Sequence, residues 1–219
     1  MALFDLTHPL AEDMPVFPGE PGPSIRNLAT ISDQGYRVKW LEMGSHTGTH
    51  MDAPAHLVRN GKMLDQYPVS HFTGNAAIIP VPEETKVIGL PFLKFYEDII
   101  GTSAYVLLNS GWSRFWGSEL YFRGFPVLSE ESARWLTGFT VRGIGLDTIS
   151  ADPVDSGILP VHHILLEAGL VIIENISFPE GFSASRGIFH CFPLYIKDAD
   201  GSPVRAVLSV DDTPDTEKY

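Results

Sequence analysis

The 219-residue sequence contains a single cysteine, Cys191, so no intramolecular disulfide can form. The surrounding residues 188–192 are mostly apolar, which favours a buried and unreactive thiol. The same count excludes a zinc site built from pairs of cysteines. A lone thiol fits the reducing environment of the cytoplasm, which is the location we expect.

Long apolar runs and positive charge are also scarce. No apolar run approaches the ~20 residues that cross a bilayer, and no basic segment precedes one at the amino terminus. We therefore expect no membrane span and no signal peptide. The 15 Lys and Arg residues face 27 Asp and Glu residues, a net charge of −12. This balance argues against nucleic acid or anionic lipid as a partner. A glycine-rich phosphate loop between a strand and a helix is missing too, so nucleotide binding has no support.

Strands and helices alternate along the sequence, with strands predominating. The length fits one domain and would also accommodate two small ones; we predict one domain over residues 1–219. Predicted helices cover residues 91–100, 130–137 and 161–168. Predicted strands cover residues 2–6, 36–43, 75–81, 104–108, 141–146, 170–173, 192–196 and 204–210.

The densest chemistry lies in residues 44–56, which hold three of the eight histidines and one carboxylate. The four side chains are those of His46, His50, Asp52 and His56. Imidazole nitrogens and carboxylate oxygens bind divalent ions such as zinc and manganese. A set of exposed loop histidines is the ordinary alternative, and we favour a metal site over it.

Spacing restricts the backbone of this stretch. Gly48 and Pro54 disfavour an interior helix. In a straight strand, His46 and His50 would lie ~13 Å apart, too far to share an ion whose ligands are each ~2 Å away. We therefore predict a sharp bend at Gly48, where glycine permits a positive φ or a close approach.

Further candidate ligands lie more than 100 residues away. His162 and His163 fall in the first turn of a predicted helix, and Glu174 ends the strand that follows. The residues alone do not choose between the two histidines. Phe17 stands in a proline-rich segment, residues 15–23, that forms either a pocket rim or a plain connection. We expect the remaining three histidines to be structural: His8, His71 and His190.

The stretch from His46 to His56 resembles the signature of the cyclase-like metal-dependent hydrolases, a family that includes bacterial kynurenine formamidase and isatin hydrolase. Segments 5–10, 14–19, 162–174 and 200–206 resemble the family in order and spacing, so the resemblance spans nearly the whole chain. It implies a single α/β domain of the swivelling β/β/α type, with a mixed β-sheet core and flanking helices. It also implies a homo-oligomer, a dimer or a tetramer.

The resemblance further implies two divalent ions per chain, zinc in preference to manganese. It assigns the metal ligands to five positions: His46, His50, Asp52, His162 and Glu174. Asp52 and Glu174 would bridge the ions, and His56 would be the catalytic acid/base. The family's spacing to Glu174 favours His162 over His163.

The implied reaction is hydrolysis of a C–N amide bond in a small molecule by a metal-activated hydroxide. N-formylkynurenine is the model substrate, and ring opening of a lactam such as isatin, or of a lactone, is the alternative. A metal-binding module without catalysis is a third reading. Phe17 stands where kynurenine formamidases carry a substrate-facing tryptophan. Glu174 stands where isatin hydrolases carry glutamine, which favours the two-metal branch.

Overall fold

The structure is a computed structural model that describes residues 1–211. Its strands, in chain order, are β1 (Ala2–Asp5), β2 (Ser24–Ala29), β3 (Val38–Glu42), β4 (His50–Asp52), β5 (Thr73–Pro80), β6 (Val87–Ile88), β7 (Tyr105–Asn109), β8 (Val127–Leu128), β9 (Gly143–Leu146), β10 (Val171–Glu174), β11 (Arg186–Pro193) and β12 (Gly201–Val210). Its α-helices are α1 (Ile31–Gln34), α2 (Leu90–Lys94), α3 (Glu97–Gly101), α4 (Glu130–Leu136) and α5 (Pro160–Glu167).

Eight strands form the central sheet in the order β1-β12-β11-β5-β7-β9-β10-β4. Strand β4 also pairs with β12, which closes the sheet into a barrel with β1 on its edge. Strands β5, β7, β9 and β10 run parallel to their neighbours in that series, and the other pairings are antiparallel. The predicted mixed sheet with flanking helices is therefore confirmed.

Apolar side chains fill two layers because the parallel strands are buried on both faces. The barrel interior holds one cluster that includes Met51, Tyr105 and Phe189. A second cluster lies between the outer wall of the barrel and the helices. Ile172 belongs to the outer cluster and Ile173 to the inner one, as the alternation of a strand requires. The buried runs in β7 and β10 are those that the sequence predicted as strands.

Two predicted elements were wrong in their extent. The helix over residues 91–100 is broken at Tyr96, whose φ of −110° and ψ of 12° separate α2 from α3. The strand over residues 192–196 is the end of β11, which stops at Pro193. Beyond Pro193 the backbone leaves the ladder with β12, and the amide of Leu194 donates to the Ser202 hydroxyl instead.

Strands β2 and β3 form a separate two-stranded ribbon.

Cys191 is fully buried in the barrel interior, and burial was predicted for it. Burial raises the pKa of its thiol. Within residues 1–211, the structure holds no helix long and apolar enough to cross a membrane.

Candidate metal centre

The backbone bends at Gly48, directly before β4. Gly48 has a φ of +69°, and a Cβ there would lie only 2.8 Å from Cδ2 of Leu10. The positive φ favours glycine at this position, and a Cβ there would in addition displace the flexible end of the Leu10 side chain. The bend brings the rings of His46 and His50 to a centroid distance of 5.2 Å, far closer than a straight strand allows. The predicted bend at Gly48 is present.

Strands β4 and β10 place the acidic side chains on the outer wall of the barrel. Glu174 is the register partner of His50, and Ile172 is the partner of Asp52. His50 and Asp52 alternate with Met51, which points into the barrel. His50 Nε2 lies 3.2 Å from Asp52 Oδ1 and 3.6 Å from Glu174 Oε2. All three polar side chains are buried.

Helix α5 adds His162 to this cluster. Its Nε2 lies 3.2 Å from Glu174 Oε1 and 3.7 Å from Asp52 Oδ2. The neighbouring His163 points the other way, with its side chain 44% exposed and its Nδ1 3.5 Å from Glu167 Oε1. The structure therefore brings His162, and not His163, to the carboxylates.

Each carboxylate faces histidines on two sides. Asp52 turns Oδ1 to His50 and to His46, whose Nδ1 lies 2.7 Å away, and turns Oδ2 to His162. Glu174 turns Oε2 to His50 and Oε1 to His162. Both carboxylates therefore offer their two oxygens to different histidines.

In His46, His50 and His162, the ring nitrogen that points away from Asp52 and Glu174 has a hydrogen-bond partner of its own. His50 Nδ1 donates to the carbonyl oxygen of Gly48 at 2.8 Å. His162 Nδ1 lies 2.7 Å from Oδ2 of Asp152, and His46 Nε2 lies 3.0 Å from Oδ2 of Asp200. Partners of this kind fix the ring orientation and the tautomer of metal-binding histidines. The nitrogens left over are those that face Asp52 and Glu174.

Nitrogen and carboxylate donors in this arrangement fit a divalent ion such as zinc or manganese. The ligand atoms of His50, Asp52 and Glu174 lie within 4.8 Å of one another, which is the spacing a shared ion needs. His46, Asp52 and His56 form a second such group. The residues present therefore fit a metal cofactor.

Pairing between histidines and carboxylates in the cluster raises the pKa values of His46 and His162 and lowers that of Asp52. Burial opposes protonation of His46, but hydrogen bonds and charges of Asp52 and Asp200 outweigh it and raise the pKa of His46 to about 9. Burial also opposes protonation of His162, yet Asp152 and neighbouring carboxylates raise its pKa to about 10. Burial alone would raise the pKa of Asp52, but its hydrogen bond with His46 helps to hold that pKa well below the ordinary value.

His56 follows β4 in a 3-10 turn, Pro54–His56, and stands beside the cluster. Its ring centroid lies 4.1 Å from that of His46, and its Nδ1 lies 3.7 Å from Asp200 Oδ2. The side chain is 28% exposed, more than the 5% of His50. Burial lowers the pKa of His56. Its place between the buried ligands and solvent suits both a further ligand and a proton carrier.

A cavity of about 320 Å³ opens onto these groups. Phe17 and neighbours from the proline-rich segment line one side of it, and His46, His56 and Glu174 line the other. The proline-rich segment therefore forms a pocket rim, which was one of the two roles that the sequence allowed for it. A larger concavity of about 960 Å³ lies elsewhere and has none of the metal-ligand groups in its lining, so the smaller cavity is the candidate site.

Four residues support the site without having been assigned a role from the sequence: Asp152, Asn175, Asp200 and Gly201. Asn175 donates through Nδ2 to the carbonyl of Gly48 and accepts from the hydroxyl of Tyr121, each at 2.8 Å. It thereby fixes the bend. Asn175 follows Glu174 directly, and Asp200 and Gly201 lie in segment 200–206, which resembles the family; these were the available signals. Asp152 lies ten residues before His162, in a polar turn that showed no ligand pattern.

The three histidines expected to be structural lie outside the cluster. The His8 ring stacks on Trp116 with centroids 3.9 Å apart. His71 packs against Tyr67. His190 bridges the hydroxyls of Thr73 and Ser209 at 2.8 and 2.9 Å.

Comparison with known proteins defines the class to which this fold and site belong. The sequence model of the family described as putative cyclase matches residues 4–153, more than half of the chain, and the chain belongs to this family. Two similar proteins are named kynurenine formamidase, from Geobacillus thermodenitrificans (strain NG80-2) and Bacillus cytotoxicus (strain DSM 22905 / CIP 110041 / 391-98 / NVH 391-98). They are 32% and 31% identical over 207 and 205 residues, which covers 93% of this chain and 95% of each relative.

Solved structures agree with this membership. Isatin hydrolase A from Ralstonia solanacearum has a TM-score of 0.83 at 25% identity, covering 94% of this chain and 91% of that one. An isatin hydrolase bound to the product analogue thioisatinate reaches a TM-score of 0.85 at 20% identity, with 94% and 91% covered, and shows the shared fold.

Proposed function

We propose that the chain is a metal-dependent hydrolase that cleaves a C–N amide bond in a small molecule, with an N-formyl aromatic amine such as N-formylkynurenine as the leading substrate. One observation carries the proposal. Asp52 and Glu174 each direct their two oxygens to different histidines, at the base of a cavity that His56 also lines. Relatives named kynurenine formamidase support the substrate class.

In this proposal the chain holds two divalent ions, zinc in preference to manganese. His46, His50 and Asp52 would hold the first ion. His162 would hold the second, with Asp52 and Glu174 shared between the two. Bound ions supply positive charge, which lowers the pKa of a water and stabilises the oxyanion that forms during amide hydrolysis.

The protein's own residues position the substrate and move the proton. Phe17 offers an aromatic face at the rim of the cavity and would pack against the ring of the substrate. His56 would act as the general acid/base, because imidazole titrates near neutral pH and this ring lines the cavity beside the ligands. It would carry a proton between the attacking water and the leaving nitrogen.

Ring opening of a lactam or a lactone is the second candidate function. The similarity to isatin hydrolase A from Ralstonia solanacearum supports it. Glu174 and its two-sided contacts favour the formamidase-like reading. A panel of N-formylkynurenine, formanilide, isatin and simple lactones, each with zinc and with manganese, separates the two candidates by which compound is consumed.

A metal-binding module without catalysis is tested by two substitutions. Asp52→Ala should abolish both metal binding and turnover, because it removes the proposed bridge. His56→Ala should retain the metal and lose ~10²–10⁴-fold in turnover, the usual contribution of a general acid or base. Full turnover in Asp52→Ala would overturn the hydrolase proposal, and full turnover in His56→Ala would remove the acid/base role.

The neighbouring histidines give a matched control. His162→Ala should lose metal, whereas His163→Ala removes the same side chain one residue later, where it faces Glu167. Equal metal content in both variants would contradict the assignment of His162.

The remaining parts of the proposal concern the whole chain. Residues 1–219 would act as one domain that assembles as a homo-oligomer. The location would be the cytoplasm, which a single and fully buried cysteine fits.

A further inference from the structure

Leu159 has a backbone conformation that leucine rarely adopts. Its φ of 43° and ψ of 55° lie in the left-handed region. Among residues 1–211, three other non-glycine residues have a positive φ, and each is an Asn or Asp, which tolerate it: Asn60, Asn175 and Asp198. Pro160 follows Leu159, and a residue before proline is restricted towards extended backbone. The conformation of Leu159 is therefore strained.

The backbone role of Leu159 does not account for a leucine at this position. Leu159 is the N-cap residue of α5, and its carbonyl accepts the amide N–H of His163 at 3.0 Å. N-caps favour Ser, Thr, Asn, Asp or Gly, and left-handed backbone favours Gly or Asn. Leucine meets neither preference, and its side chain makes no capping hydrogen bond. The reason for a leucine therefore lies in what its side chain contacts.

The side chain of Leu159 is not part of the core. It belongs to none of the three apolar clusters formed by residues 1–211, and it lines the cavity of about 320 Å³ that opens onto the candidate metal centre. The preceding residue, Ile158, lies outside that lining and is 77% exposed. Strained residues are found at ligand sites, where the surrounding structure holds them in place. Leu159 therefore has the placement of a residue that contacts a ligand.

Hydrogen bonds on both sides hold Leu159 in this conformation. Its amide N–H donates to the Ser156 hydroxyl at 3.2 Å. The carboxylate of Asp152 accepts the amides of Val161 and His162 and so fixes the first turn of α5. The side chain is thereby positioned before a substrate arrives, which reduces the entropy lost on binding.

Phe17 lines the same cavity from the proline-rich segment. It packs against the third apolar cluster, which consists of four buried residues: Trp112, Tyr121, Phe125 and Ile149. A supported aromatic face and a fixed aliphatic side chain are suitable walls for a flat ring. The cavity volume is at the lower end of the range for ligand sites, which favours a substrate with a single ring.

We propose that Leu159 determines substrate specificity: its strained backbone fixes the side chain so that Leu159 and Phe17 together hold one aromatic ring of the substrate. This inference rests on the proposed hydrolysis of an N-formyl aromatic amine. It adds the second wall of the ring site and a limit on size, because the leucine side chain occupies the space that a second, fused ring would need.

Melting temperatures test the strain. Leu159→Gly should melt ~2–4 °C above Leu159→Ala, because glycine accepts a positive φ and alanine does not. Ile158, which has no positive φ, is the matched control. There the order should reverse, with Ile158→Gly melting below Ile158→Ala, because glycine loses more conformational entropy on folding. A Leu159→Gly variant that melts at or below Leu159→Ala would overturn the proposal.

Kinetics with formanilide and N-(1-naphthyl)formamide test the ring site. Leu159→Ala should raise KM for formanilide ~10-fold with kcat and bound zinc unchanged, because the side chain contacts the ring and not the reacting bond. Leu159→Gly should increase the ratio of kcat/KM for the naphthyl compound to that for formanilide ~10-fold, a gain that damage to the fold would not produce. Ile158→Ala should leave both quantities unchanged.

The outcomes separate this inference from the proposed function. A wild type that hydrolyses neither formamide would overturn the proposed function and, with it, this inference. An active wild type whose KM and substrate ratio persist in the Leu159 variants would overturn this inference alone. A loss of kcat or of zinc in Leu159→Ala would also overturn it, since the leucine would then support α5 and not the ring.

Discussion

Gly201 determines where the His46 ring can lie. A Cβ on Gly201 would stand 2.6 Å from Cε1 and 2.8 Å from Nε2 of that ring. Gly201 is also the register partner of Asp52 in the pairing of β12 with β4. A residue without a side chain therefore makes the space in which His46 reaches Asp52.

We predict that Gly201→Ala weakens metal binding by ~10–100-fold while the circular dichroism spectrum stays unchanged, because the added methyl group displaces a proposed ligand. Competition with a chromophoric chelator measures the affinity. Gly157→Ala is the matched control, since a Cβ there meets no atom within 4 Å. Wild-type affinity in Gly201→Ala would contradict the prediction.

His71 makes the folded state sensitive to acid. Its Nε2 is buried with no hydrogen-bond partner among the described residues. Burial, with the charges of Arg142 and Lys62, lowers the pKa of His71 to about 4. Because the folded pKa lies below the unfolded value of ~6.5, the neutral ring stabilises the fold above pH ~6.5, and this contribution is lost as the pH falls towards 4.

We predict that the free energy of unfolding falls by ~1 kcal/mol less between pH 7 and pH 5 in His71→Gln than in the wild type, after allowance for solvent screening. Urea titrations at the two pH values measure the difference. His163→Gln, an exposed position beside Glu167, serves as the control. A wild-type pH dependence in His71→Gln would refute the acid sensitivity assigned to this ring.

Helix α5 depends on a single carboxylate for both its start and its function. Asp152 accepts the amide N–H groups of Val161 at 3.0 Å and His162 at 2.9 Å, which lack partners within the helix. The same side chain lies 2.7 Å from His162 Nδ1. The residue that satisfies the helix end therefore also aims the imidazole.

We predict that Asp152→Asn lowers the free energy of unfolding by ~1 kcal/mol and the metal affinity by ~10-fold, because the amide accepts fewer hydrogen bonds and loses the charge facing His162. Thermal denaturation with and without added zinc measures both effects. Asp155→Asn, an exposed aspartate in the same loop, should change neither. Equal zinc stabilisation in Asp152→Asn and the wild type would exclude the positioning role.

Features of the fold and the site could be predicted from the sequence where they depend on residues close together in the chain. The strands buried on both faces, helix α5 and the bend at Gly48 each depend on neighbouring residues, and each is present. The contacts of Asp200 with His46 and of Gly201 with the same ring join residues about 155 positions apart. No local pattern encodes them. Strand β2 was missed because its exposed residues lack the alternation that a covered face imposes.

The charge of the whole molecule bears on substrate choice. The net charge is −12, and among residues 1–211 the lining of the candidate cavity includes Glu20 at the rim but neither Lys nor Arg. Two divalent ions bound as proposed would change the net charge from −12 to −8, so a substrate with an anionic ring substituent still approaches the molecule against a long-range repulsive field, which salt screens.

We predict that kcat/KM for a formanilide with a ring carboxylate is several-fold lower than for formanilide itself at low salt, and that the ratio approaches one as salt is raised to ~0.5 M. Glu20→Gln should reduce the difference more than Glu84→Gln, which removes the same charge outside the cavity lining. A ratio that does not change with salt would contradict a role for the field.

The paired contacts of Asp52 and Glu174 underlie the proposal of two ions per chain. Its most direct test is a titration of chelator-treated, full-length protein with zinc, in which hydrolysis of formanilide and bound metal are followed together. We predict no turnover without metal and a rise that reaches its plateau at two equivalents per chain. A plateau at one equivalent, or turnover that is independent of metal, would contradict the claim.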